Sequence, residues 1–296
     1  YRVYIGSMTM ISINTNYGGI FAAKASSQSQ LQIDQAMERL STGKRINHAR
    51  DDAAGQAIAT RLSAEIEGLA MASRNVADGQ SLVDTAEGAL VETHALLLRM
   101  REIGVQAANG TLSSSDNEAL DAEFQQLVAE IDRISDNTSW AGTKLLNGNA
   151  TGDYNTSATF TFQAGVNNAT ADRITVEVKN ADSATLGVQD LTGGVNVVNL
   201  LDMTNAQAAI TKVDDAIASV SAERGKLGAV SNRMSSTMAN LDQITVNLTA
   251  SKGRIEDSDF AAETGNLAKG QILQQAATAM LAQANASKQQ VLTLIR

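Results

Sequence analysis

The chain has 296 residues, no cysteine and no proline; it is 43% hydrophobic but only 3% aromatic, and its formal net charge is −9. Without cysteine there is no disulfide framework, thiolate metal site or Cys nucleophile, and no run of about 18 apolar residues offers a membrane span. Residues 1–50 hold 6 basic and 2 acidic side chains, residues 51–250 hold 12 and 26, and residues 251–296 hold 5 and 4, so no concentrated basic face speaks for nucleic acid.

A core this poor in rings must be built from Leu, Ile, Val, Ala and Met, which suits helix-on-helix packing. At average usage a chain of this length would hold roughly 15 prolines. Their absence fits long unbroken helices, since proline breaks helix interiors, and it also suits a chain that must unfold and refold readily.

Residues 1–7, YRVYIGS, precede Met8 and are read as a non-native extension. Nothing at the N-terminus has the form of an ordinary secretory signal. Residues 17–43 read as a helix, with Ile33, Met37 and Leu40 on one face and Gly43 as its stop. From Asp51 to Asn109 the sequence is helix-compatible, and Asp51-Asp52 at its head complement the macrodipole. Within this run Leu82, Ala86, Ala89, Thr93, Leu96, Met100, Ile103 and Ala107 alternate four and three residues apart.

Asn109-Gly110 ends that helix. Ser115-x-x-Glu118 has the form of a capping box and opens another helix, striped by Leu120, Phe124, Leu127, Ile131 and Ile134. From Trp140 to about Leu201 Gly, Asn and Thr increase. There ATFTFQAG and DRITVEVKN alternate in the manner of two strands, giving a β-hairpin near 159–180.

Thr204-x-x-Gln207 is a second capping box. After it a stripe runs through Ile210, Val213, Ile217, Val220, Arg224, Leu227, Ser231, Met234, Met238, Leu241, Thr245 and Leu248, with Gly253 as an interruption. The closing helix carries Leu273, Ala277, Met280, Ala284, Ser287, Val291 and Leu294 on one face. Isolated helices are marginal in water, so this stripe needs a partner. The N-terminal helix is the first candidate, and other copies of the chain are the second.

The expected fold is therefore mainly α: a long antiparallel heptad-patterned helical bundle with a small β-hairpin region, its terminal helices pairing as a coiled coil. The expected division is 8–50 with 254–296 as an inner terminal domain, and 51–253 as a helical core domain. Chemistry finds little support. His48 and His94 are far apart in sequence, and no zinc, calcium, phosphate-loop or serine-hydrolase pattern occurs. The expectation is no enzyme activity, no metal and no cofactor.

Several motifs then stand in order. LSTGKRIN is followed by ARDDAAGQAIATRL, SRNVADGQSLVDTAEGAL, MREIGVQAANGTLSSSD and EIDRISDNTSWAGTKLLNG. Nearer the C-terminus come GAVSNRMSSTMANL, NLTASKGRIEDSDFAAE and QILQQAATAMLAQAN. This series closely resembles bacterial flagellin over almost all of Met8–Arg296, in a minimal form without outer variable domains. Trp140-Ala141 stands where the family usually has Phe-Asn, and Lys288 where many members have Pro.

The resemblance implies a structural subunit that polymerises into the extracellular flagellar filament for motility. It implies assembly through the terminal stripes, here Ile33, Met37 and Leu40 with Leu273, Ala277, Met280, Ala284, Val291 and Leu294. It also implies export by the flagellar secretion system with an export chaperone on the C-terminal segment, and contacts with hook-associated and cap proteins. The RxRExxVQ motif, here Arg99–Gln106, implies an immune-receptor interface of Arg99, Ile103, Gln106 and Glu123 for a flagellin-sensing Toll-like receptor. Two alternatives stand beside this reading. One is a hook–filament junction protein. The other is a flagellin-like polysaccharide-binding surface protein, for which only Trp140 offers an aromatic platform.

Overall fold

The computed structural model describes residues 15–147, 157–189, 191–192, 195–196 and 198–294, with backbone alone at 191–192, 195–196 and 290–294. Among the described residues five α-helices and six short strands follow in chain order. They are α1 (Tyr17–Thr42), α2 (Ala53–Ala107), α3 (Ser114–Asn137), β1 (Ser139–Trp140), β2 (Thr143–Lys144), β3 (Ala158–Gln163), β4 (Arg173–Val178), β5 (Leu191–Thr192), β6 (Val195–Asn196), α4 (Met203–Glu256) and α5 (Phe260–Leu294). The chain forms two compact units. One takes in the segments up to Ala64 and from Leu248 onward, and the other is Glu65–Asn247.

In the unit Glu65–Asn247 the helices pack through heptad seams. On α2 the buried positions include Leu69, Ala72, Val76, Val83, Ala86, Leu90, Thr93, Leu97, Met100 and Ala107. On α4 they are Ala206, Ala209, Val213, Ala216, Val220, Glu223, Leu227, Met234 and Leu241. Both seams keep the three–four alternation, but they alternate between the expected stripe and its neighbour. Leu90 and Leu97 take the places expected for Ala89 and Leu96, and Ala209 and Ala216 those of Ile210 and Ile217. Cross-helix contacts run from Gln80–Ser235 (3.4 Å) through Glu87–Arg224 (3.0 Å) to Arg101–Asp214 (2.6 Å). Rising numbers on α2 meet falling numbers on α4, so the two helices are antiparallel.

Three expected helix boundaries move. The cap of α3 is Ser113, not Ser115: the Ser113 Oγ accepts from the Asp116 amide, and Asp116 Oδ2 accepts from the Ser113 amide at 3.0 Å. Aspartate serves where Glu or Gln was sought, because its carboxylate also reaches back to the cap amide. Helix α4 begins at Met203, so Thr204 lies in its first turn instead of capping it. It continues through Gly253 to Glu256, because one glycine costs a helix only about 1 kcal/mol. The stop at Gly43 is as expected: φ is 71°, and its amide donates to the Arg39 carbonyl at 2.9 Å.

The hairpin is antiparallel, with Ala158 opposite Val178 and Gln163 opposite Arg173. On β4, Ile174, Val176 and Val178 are buried and alternate with exposed Arg173, Thr175 and Glu177. The Asn75 side chain of α2 donates to the Gln163 carbonyl at 3.2 Å. The buried Glu223 carboxylate of α4 accepts from the Lys179 amide at 3.2 Å, just past the end of β4. A second, tighter hairpin pairs β1 with β2 through Ala141 (φ 48°) and Gly142 (φ 84°).

In the terminal unit the loop after α1 is joined to the link between α4 and α5. The Arg45 amide donates to the Glu256 carbonyl at 2.6 Å and the Ser258 amide to the Gly43 carbonyl at 2.9 Å. Lys44 Nζ meets Glu256 Oε1 at 2.5 Å, and this bond holds the Glu256 carboxyl below its usual range. Asp51 and Asp52 organise the entry to α2. The Asp52 Oδ1 accepts from the Gly55 amide at 2.8 Å, as a capping residue does. Asp51 Oδ2 instead accepts from the His48 amide at 2.9 Å and the Asn47 amide at 3.2 Å. The His48 bond is the main cause that holds the Asp51 carboxyl below its ordinary value.

Candidate assembly surface

Helices α1 and α5 run antiparallel along one another. Asn16 Nδ2 donates to Asn285 Oδ1 at 3.2 Å, Gln274 Nε2 to Gln30 Oε1 at 2.6 Å, and Arg39 pairs with Glu263 at 2.8 Å. Between these polar contacts lie Ala22, Ser29, Ile33 and Ala36 of α1, all buried. From α5 come Gly270 and Ala277, also buried, flanked by half-buried Leu267, Leu281 and Ala284. Small side chains let the backbones approach: a Cβ on Gly18 would lie 3.5 Å from the Cβ of Ala284.

The expected stripe is thus split between two faces. Ile33, Ala277 and Ala284 face the seam, and Leu40 is half-buried. Leu273 is 42% exposed, Met37 53% and Met280 63%. The seam on α5 passes through Gln274 and Leu281, one residue further on, and this turns Leu273 and Met280 outward. The side chains of Val291 and Leu294 lie outside the described residues, as do residues 1–7.

What remains uncovered is apolar and large. Phe21 is 76% exposed, and Tyr17, Ile20, Leu31 and Ile272 are exposed with it. Phe21, Leu273 and Met280 line a groove of about 520 Å³ along the α1–α5 pair, together with Ala22, Ala25 and Ala277. A surface of this kind marks an interaction site.

The other expected surface lies in the unit Glu65–Asn247. Arg99 donates to Glu123 of α3 at 2.8 and 3.1 Å and to Glu102 at 3.1 Å. Gln106 is exposed. Ile103 is only 1% exposed and belongs to the helical core, so it is not presented to any partner. Its position satisfies the heptad spacing, and packing takes it inward.

Sequence reasoning missed two contributors to the terminal pair. Asn16 accepts from the Gly19 amide at 3.0 Å and so caps α1. An Asn ahead of a helix is a legible signal for this. The Arg39–Glu263 pair spans 224 positions, and no local pattern announces it. Among the described residues no group of three or more His, Cys, Asp or Glu is placed to hold a metal ion, and no helix is long and apolar enough to cross a membrane.

Paired end segments with an open apolar face, in a chain whose other unit is a helical bundle, define a structural protein built to associate with other helices. Comparison with known proteins gives its family. The bacterial flagellin N-terminal helical region matches residues 13–151, and the bacterial flagellin C-terminal helical region matches residues 210–295. A flagellin of Halalkalibacterium halodurans is 44% identical over 90% of this chain and 92% of its own length. A flagellin of Bacillus subtilis is 42% identical over 96% and 99%, and the flagellar filament 33 kDa core protein of Treponema phagedenis is 39% identical over 96% and 99%. The chain belongs to the bacterial flagellin family. It is a structural subunit of the extracellular flagellar filament.

Proposed function

We propose that this chain polymerises through the α1–α5 pair, the outward face of each pair packing against neighbouring copies. The observation that carries this is the exposure of Phe21, Leu273 and Met280 along one groove. Fully burying a side chain of this size contributes up to about 1.5–3 kcal/mol, and the part still exposed here adds to a seam made mostly of small residues. The inner terminal domain of 8–50 and 254–296 then serves assembly, and the core domain 51–253 serves as its folded support. The chain acts by assembly and not by catalysis.

Export through the flagellar secretion system, with a chaperone on the C-terminal segment, fits a chain without proline or cysteine whose terminal helix exposes apolar residues before assembly. Hook-associated and cap proteins are the partners at the filament's ends. For a Toll-like receptor the available surface narrows to Arg99, Gln106 and Glu123, since Ile103 is buried. Neither the junction-protein nor the polysaccharide reading is favoured by the relatives above.

The test is deletion of residues 271–296 followed by electron microscopy of polymerisation mixtures and circular dichroism of the soluble chain. The expected result is loss of filaments with most helical signal retained. Filaments of normal length would overturn the proposal.

A further inference from the structure

We propose that Met280 is an oxidation site through which peroxide blocks assembly of the free subunit. The inference rests on the assembly reading above. The chain has no cysteine, so methionine supplies all of its sulfur. Met100 and Met234 are fully buried and shielded in the helical core, whereas Met37, Met71, Met203 and Met280 are each more than half exposed. Of these four only Met280 lines the apolar groove, together with Phe21, Leu273 and Ala277.

The chemistry is an oxygen-atom transfer. A lone pair on the Met280 sulfur attacks one oxygen of hydrogen peroxide, the O–O bond breaks, and the other oxygen leaves as water after proton transfer. Sulfur is oxidised by two electrons to the sulfoxide, and peroxide is reduced. An apolar, flexible side chain becomes polar and chiral. On the open groove the new S–O group stays hydrated, and the folded subunit is not harmed. The groove's lining is mainly apolar but includes Gln28, Ser29, Gln32 and Gln283. Covering it with another copy strips the water from an oxygen beside Phe21 and the alanine methyl groups, and an oxygen that none of those polar side chains reaches is costly to bury. Within a filament the same packing shields the sulfur, so damage falls on subunits that have not yet assembled.

The experiment uses the purified full-length chain, filament seeds and hydrogen peroxide. Mass spectrometry reads sulfoxide occupancy at Met280, light scattering reads seeded elongation, and circular dichroism checks the helices. In wild type, elongation should fall at least about tenfold as Met280 is oxidised, the loss expected from burying one unpaired polar group. Treatment with methionine sulfoxide reductases should restore it. Met280→Leu should elongate after peroxide at nearly its untreated rate, although Met37, Met71 and Met203 are still oxidised. Met280→Gln, polar and of similar length, should fail without peroxide. If untreated Met280→Gln elongates normally, the groove is not buried on assembly, and both readings fall. If Met280→Gln is blocked but Met280→Leu gives no protection, the assembly reading stands and this one alone is overturned.

Discussion

Ile33 of α1 packs directly over Gly270 of α5: a Cβ built on Gly270 would lie 2.8 Å from Ile33 Cγ1. Both residues are buried, and the atom met is near the root of a branched side chain with little freedom to move.

Gly270→Ala should therefore loosen the terminal pair, although alanine is the better helix former. The propensity gain is about 1 kcal/mol, while forcing an extra methyl into a packed contact costs about 1–3 kcal/mol. Net destabilisation of up to about 2 kcal/mol is expected, larger for Gly270→Val. Amide hydrogen exchange in α1 and α5 measures it. Unchanged or slower exchange in Gly270→Ala would show that the contact takes up the extra methyl without penalty.

The turn between β1 and β2 places a non-glycine residue, Ala141, at φ 48°. Left-handed backbone is unfavourable for alanine and tolerated by asparagine, and Asn-Gly is the favoured pair for this type of two-residue turn. Ala141→Asn should stabilise the chain by about 1 kcal/mol. A denaturant titration monitored by Trp140 fluorescence would read it as a higher midpoint with unchanged slope, and an unchanged midpoint would contradict the strain assigned here.

Ser113→Ala should destabilise α3 by about 1 kcal/mol, since it removes a side-chain cap and one arm of a reciprocal capping box. Ser115→Ala, inside the first turn, should change stability by less than about 0.5 kcal/mol. Thermal melts of the two variants side by side decide between the positions.

Acid should weaken the entry to α2. The folded Asp51 carboxyl is held below its ordinary value of 3.8, first by the His48 amide, then by the Asn47 amide and the charges of Arg50 and His48, against some desolvation. A depressed carboxyl contributes stability that is present above the unfolded value and lost as pH falls through the folded one. The loss should begin near pH 3.8 and continue below it. Asp51→Asn should flatten this part of the stability–pH curve, as measured by melts between neutral and strongly acidic pH. A variant curve parallel to wild type would remove Asp51 from the account.

Much of this was legible in the chain itself. Helix period, the stop at Gly43 and the hairpin of ATFTFQAG with DRITVEVKN follow from local chemistry: an unhindered left-handed residue, a three–four apolar repeat and strict alternation each act within a few residues. The phase of the helices was not legible. In alanine-rich helices two stripes one residue apart both satisfy the heptad spacing, and Ala89 and Leu90 differ by only 100° of rotation. Which of them is buried depends on the helices packed around α2. The same contest decided the candidate sites. Ile103 went into the core and Met280 to the outside, because burial belongs to the set of neighbours a residue meets. Arg39 and Glu263, 224 positions apart, meet only when the chain returns on itself, so their pairing was a decision of the tertiary structure.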